Sequence, residues 1–124
     1  MPTAAEWPRY HYAGTLVRMK DGDTAVIRLD LGLDPVEATK PIRVNGLYCP
    51  ESKGASKVRG LAAAAYGLTL LQGRRLYIRT IKDEQSFERW VGDVFWEGPG
   101  GQLVSYADAM RTAGFDDGPP VGGK

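Results

Sequence analysis

The chain is poor in the residues that would declare a function by themselves. It has one cysteine, Cys49, so no internal disulfide can staple it, and a reducing compartment suits it. It has one histidine, His11, read as an ordinary surface or hydrogen-bonded side chain and not as a ligand or base. No apolar run approaches the ~20 residues of a membrane span, and the first residues lack the apolar core of a signal peptide. The expectation is a cytoplasmic protein with no membrane partner. Charge of one sign is also scarce. The formal net charge of +1 argues against gripping long nucleic acid by bulk electrostatics, so any such grip must be local or on short strands.

What remains is an ordinary globular composition. The 124 residues suit one domain, and 43% hydrophobic residues can fill a small core. Residues 1–9 read as an irregular arm. From Tyr10 to Met19 the chain alternates as a strand, and Lys20-Asp21-Gly22 reads as a hairpin turn. A second strand follows with Ala25, Ile27, Leu29 and Leu31 on one face. Gly32 to Pro41 reads as a loop carrying Asp34, Glu37 and Lys40, before a third strand from Ile42 to Leu47 with Arg43 opposite Ile42 and Val44.

Helical spacing predicts a helix over Ser52–Gln72, with Val58, Leu61, Ala62, Ala65 and Leu68 as its apolar stripe and Gly73 as its stop. Strands over Arg75–Ile81 and Arg89–Trp96 follow, the second placing Trp90 and Trp96 together in the core. Gly98 to Gly101 reads as a turn. Ser105 predicts the cap of a last short helix, with Asp108 in the capping-box position, Tyr106, Met110 and Ala113 inward, and Gly114 at its end. Residues 116–124 read as a flexible glycine- and proline-rich tail. The expected fold is α+β, mainly β. It is a five-stranded OB-fold barrel over residues 10–115, with a helix between strands three and four and a short C-terminal helix.

Three stretches carry chemistry: Asp21-Gly22-Asp23-Thr24, Arg43 through Glu51, and Phe87-Glu88-Arg89. Phosphodiester cleavage needs positive charge to neutralise the phosphate, a group that orients or deprotonates water, and a held substrate. Asp23 opens a strand after a turn, where a carboxylate suits an oxygen-ligated cation. Glu51 follows a proline in a loop that can reach a cleft. Arg43 and Arg89 offer planar forks that bind two phosphate oxygens and do not deprotonate. Each feature alone is commonplace; their order and spacing are not.

That order resembles the staphylococcal (micrococcal) nuclease family, which has a D-G-D-T turn, an arginine strand leading to D-x-P-E, a helix, and an arginine opening a later strand. The likeness spans about Tyr10 to Phe115. It implies an endonuclease acting on DNA or RNA, single-stranded or flexible, as a monomer, leaving a 3′-phosphate and a 5′-hydroxyl. It implies Asp23 and the backbone carbonyl of Cys49 as calcium ligands, with Asp21 supporting the metal loop from behind. Glu51 would orient the attacking water, and Arg43 and Arg89 would clamp the phosphate. Magnesium or manganese would serve if the ligand set is smaller. Phe87, Tyr48 and Lys82 are the expected substrate contacts.

Two departures accompany the likeness. Tyr48 stands where the family has a second carboxylate ligand, with Asp21, Asp34 and Glu37 as the carboxylates nearby that would have to compensate. The family's longer C-terminal region, with its stacking tyrosines, has no counterpart. The alternative expectation is therefore an SNase-like barrel with an impaired site, acting as a nucleic-acid- or protein-binding module. Cys49 itself reads as a packing residue. His11 reads as an ordinary strand histidine, and Arg74, Arg75, Arg79 and Lys82 as a basic strand edge or a track for a nucleic-acid backbone.

Overall fold

Alternation of buried and exposed side chains drives much of the described chain into strands. The computed structural model describes residues 10–33, 36–81 and 90–118. Among the described residues are six strands and two helices: β1 (His11–Asp21), β2 (Thr24–Leu33), β3 (Val36–Val44), α1 (Lys57–Leu71), β4 (Leu76–Ile81), β5 (Trp90–Glu97), β6 (Leu103–Ser105) and α2 (Tyr106–Thr112). The sheet order is β3-β2-β1-β4-β5-β6, and a parallel pairing of β3 with β5 closes the first five strands into a barrel. The protein is thus a mainly β, closed five-stranded barrel carrying two helices. No helix among the described residues is long and apolar enough to cross a membrane.

The core is the set of inward positions. Ala25, Ile27 and Leu29 from β2, Ile42 and Val44 from β3, Leu76 and Ile78 from β4, and Val94 and Trp96 from β5 are buried together with Leu47, Leu71, Tyr106 and Met110. Alternation predicts Ala25, Ile27, Leu29, Ile42, Val44 and Trp96 among them. Leu31, expected to continue the inward row of β2, is exposed because the β2–β3 hairpin runs beyond the end of the core.

Several expectations are corrected here. Gly32, Leu33 and Val36 to Pro41 are strand, not loop: β2 runs to Leu33, β3 begins at Val36, and Glu37 and Lys40 pair with Asp30 and Ile27. Pro41 misled the reading. It lies just before the stretch of β3 that pairs with β5, where one side of the strand is an edge and proline is tolerated. The strand β6, hidden behind the glycine turn, adds to the sheet beyond β5. Trp90 is exposed while Trp96 is buried, since Trp90 begins its strand at the barrel rim. Ser105 caps α2 through a bond from the Asp108 N–H, and Gly114 ends it at φ +87°, but Ala113 is exposed.

The largest correction concerns α1. It starts at Lys57, after a 3-10 turn over Gly54–Ser56, and its buried face is Gly60, Ala63, Gly67 and Leu71. The expected stripe faces water instead: Val58, Leu61 and Leu68 are exposed, as are Ala62 and Ala65. Closeness explains the inversion. A Cβ at Gly60 would collide with the Glu51 carbonyl, and one at Gly67 with the Tyr106 hydroxyl. Only small side chains let this helix lie so near the barrel, and small residues carry little weight in a hydrophobic periodicity.

Helix propensity alone would make Gly60→Ala stabilising by ~1 kcal/mol. The collision with the Glu51 carbonyl reverses the sign. The variant is expected to lose about 1–3 kcal/mol, read as a lower urea midpoint at unchanged slope.

Candidate functional site

Five of the sequence-predicted residues, Asp21, Asp23, Arg43, Tyr48 and Cys49, come together where the β1–β2 turn, the end of β3 and the loop leading to α1 meet. Asp21 pairs with Thr24, so Gly22 and Asp23 form the two-residue turn of the hairpin. Gly22 is required there by space: an added Cβ would lie 2.8 Å from the Ala63 Cβ and 3.0 Å from the Cys49 Sγ. Beneath the turn, the buried Tyr106 hydroxyl donates to the Gly22 carbonyl.

Asp23 sits at the centre. Its carboxylate accepts the Thr24 hydroxyl at 3.1 Å and the Cys49 N–H at 2.9 Å, and its backbone carbonyl accepts the Val44 N–H at 2.8 Å. The turn, the third strand and the helix-leading loop are thereby tied to one residue. Thr24 pairs with Arg43 in the β2–β3 register, which sets Arg43 Nη2 3.6 Å from Asp23 Oδ2. Arg43 also donates to the Val44 carbonyl at 2.8 Å, and its guanidinium lies over the Tyr48 ring, 5.1 Å from the centroid. Its side chain is only 18% exposed, so it is held rather than waving in solvent.

The loop after Cys49 is braced from the same side. The Asp21 carboxylate accepts the Ser52 N–H at 3.0 Å, while Ser56 Oγ donates to the Glu51 carbonyl at 3.0 Å. Pro50 is buried and the Glu51 residue is exposed, so the proline anchors the loop and the carboxylate faces out of it. Asp21, Asp23, Arg43, Tyr48 and Cys49 therefore form one cluster, and Glu51 is exposed on the loop that leads away from Cys49. Arg89, Phe87, Lys82 and Asp34 lie outside the described residues. Glu37 does not join the cluster: it pairs at 3.6 Å with Arg28 along the β2–β3 hairpin. Arg79 of the fourth strand is bound to Asp93 at 2.7 Å, and Arg74, just before that strand, lies over the Trp96 ring.

The donor set for a cation can be read from these contacts. A carboxylate has about four lone-pair sites, and the Thr24 and Cys49 bonds to Asp23 leave some of them for a hard cation. Tyr48 brings no carboxylate, and its ring lies against Arg43. Among the described residues no group of three or more His, Cys, Asp or Glu side chains gathers. A cation here would draw its further oxygens from backbone and water, which calcium accepts at reduced affinity.

Sequence reasoning missed the residues that hold the cluster from outside. Tyr106 was legible as core but not as the brace under Gly22. Asp116 and Asp117, placed in an expected flexible tail, are engaged: Asp116 Oδ1 accepts the Tyr48 N–H at 3.2 Å, and the Asp117 N–H donates to the Tyr48 carbonyl at 2.8 Å. Partial burial works against the Asp116 charge, yet the Gly118 and Tyr48 N–H groups and Arg111 hold its carboxyl below the usual range. The alternation of Asp116-Asp117 with glycines and prolines offered no signal for this.

No family model matches the chain, and the search of curated proteins returns no match.

Two measurements check this geometry. Tyr106→Phe leaves the Gly22 carbonyl without its donor and is expected to cost about 1–3 kcal/mol in urea unfolding. The Cys49 thiol is pushed up from 9.0 to about 12, first by burial and then by the Asp23 and Asp116 carboxylates. The folded state keeps this proton where the unfolded chain has lost it, so stability falls as pH rises from 9.0 toward about 12. Native protein in chelator at pH 8 is therefore expected to react with iodoacetamide far more slowly than urea-unfolded protein; equal rates would contradict the placement of Cys49.

Proposed function

We propose that the chain is a phosphodiesterase of the staphylococcal nuclease type, built on an OB-fold barrel and cleaving DNA or RNA with a divalent cation, calcium by preference. The strand order around the barrel, with a helix between β3 and β4, supports the OB-fold. The observation that carries the function is the meeting of Asp23 and Arg43 across β2–β3 at 3.6 Å, with the Cys49–Glu51 loop bonded to the same carboxylate. A fixed anion beside a fixed guanidinium, with a second carboxylate exposed on the adjoining loop, is the pairing that phosphoryl chemistry uses.

In this reading Asp23 and the Cys49 carbonyl hold the cation, whose charge neutralises the phosphate when it is bound. Arg43 turns its remaining N–H donors to the phosphate oxygens. Its bond to Val44 and its contact with Tyr48 fix the fork before substrate arrives, so little ordering remains for the moment of reaction. Glu51, exposed on a loop braced by Asp21, accepts the proton of the attacking water. Arg89 takes the second phosphate contact that the resemblance implies.

One observation favours a second reading, a barrel that binds without cutting: the ring on Arg43 is Tyr48, where a carboxylate would have completed the ligand set. Labelled single-stranded DNA separates the two. Calcium is expected to produce fragments and chelator to stop them. Glu51→Gln and Arg43→Lys are each expected to lower kcat/KM by at least ~10² with the melting curve preserved. Strands bound but uncut in calcium, magnesium and manganese alike would replace the nuclease by the binding module.

A further inference from the structure

Tyr48 is the most elaborately held residue of the loop. Both of its backbone groups are tied to the segment that follows α2, through Asp116 and Asp117. The other Asp116 oxygen accepts Arg111 Nε at 2.9 Å, and Arg111 Nη2 reaches the Gly46 carbonyl at 2.9 Å. Asp117 pairs with Arg59 of α1, which also donates to the Gly114 carbonyl at 2.7 Å, and the Phe115 ring packs against Tyr66 at 5.6 Å. Residues 115–118 thus form a strap from α2 to α1 that clamps the backbone of Tyr48 on both sides. The ring so placed rests on Arg43 and remains partly open to solvent.

We propose that Tyr48 is a base-stacking residue of the nucleic-acid site, taking the nucleobase of a nucleotide whose phosphate Arg43 holds. The inference rests on reading Arg43 as a phosphate ligand. A carboxylate at this position would compete with phosphate for the guanidinium; a phenol ring does not, and the cation beneath it fixes the ring. Every base has a π face, so such a contact binds single strands with little sequence preference. The strap orders the ring in advance and so lowers the entropy lost on binding.

The test is equilibrium anisotropy in chelator, where no cleavage can intervene. It uses a short labelled oligothymidylate and an abasic strand of the same length. The parent is expected to prefer the strand with bases. Tyr48→Leu, which keeps apolar bulk on Arg43 but has no π face, is expected to weaken oligothymidylate binding about tenfold and leave the abasic strand unchanged. Tyr48→Phe is expected to keep the preference, and Asp116→Asn, which loosens the strap, to lose part of it. Equal losses for both strands in Tyr48→Leu, or an undiminished preference for bases, would overturn the stacking role alone. A parent that binds both strands equally would do the same. A parent that binds neither would overturn the phosphate-binding reading as well.

Discussion

The site depends on how closely α1 approaches the barrel. Gly60 lies on the Glu51 carbonyl, Ala63 faces Gly22, and Gly67 faces the Tyr106 hydroxyl. Those three contacts set the two segments that carry the carboxylates, the β1–β2 turn and the loop from Cys49 to Ser52, against the same helix. A larger side chain at any of them would push the helix away and separate the turn from the loop. Interiors of this density transmit such a displacement rather than absorb it.

From that approach follows the electrostatic arrangement. Asp23 is 9% exposed, and a carboxylate so placed needs donors and an opposite charge. It finds them in Thr24, Cys49 and Arg43, each delivered by a different segment: the hairpin, the loop and the third strand. The same contacts that make its burial tolerable therefore position the guanidinium and the Glu51 loop. In the proposed reading, the bonds that satisfy Asp23 are also those that would preorganise the site for a phosphate. That economy explains why the arginine side chain is largely buried and held by contacts on several sides. Outside this cluster, the strap over Tyr48 extends the same logic to the C-terminal side, with Arg111 and Arg59 holding two aspartates in place.

Much of the fold was legible in the sequence because strands obey a period of two and helix ends have local signatures. Ala25, Ile27 and Leu29 announced their face, and Ser105 and Gly114 bracketed α2. The failures have a common cause: the deciding force was not local. Small residues on α1 face inward because of what lies opposite, while the larger Val58, Leu61 and Leu68 are left in water. Pro41 looked like a loop residue because nothing nearby reveals which edge of β3 lacks a partner. Within the site, Asp23, Arg43 and Glu51 stood out in the sequence by their order along the chain, whereas Asp21 and the Cys49 carbonyl entered only with the resemblance. The brace from Tyr106 and the strap from Asp116 and Asp117 were not, since each acts across more than sixty residues of chain.

The central claim is that a cation and a phosphate meet at Asp23 and Arg43. The most direct measurement is an amide chemical-shift titration of the labelled protein with calcium and a cleavage-resistant dinucleotide. Calcium is expected to move the amides of Asp23, Thr24, Cys49 and Glu51, and the dinucleotide to add those of Arg43, Val44 and Tyr48. Saturating additions that leave the Cys49 amide unmoved, or that shift only residues remote from this end of the barrel, would contradict the account.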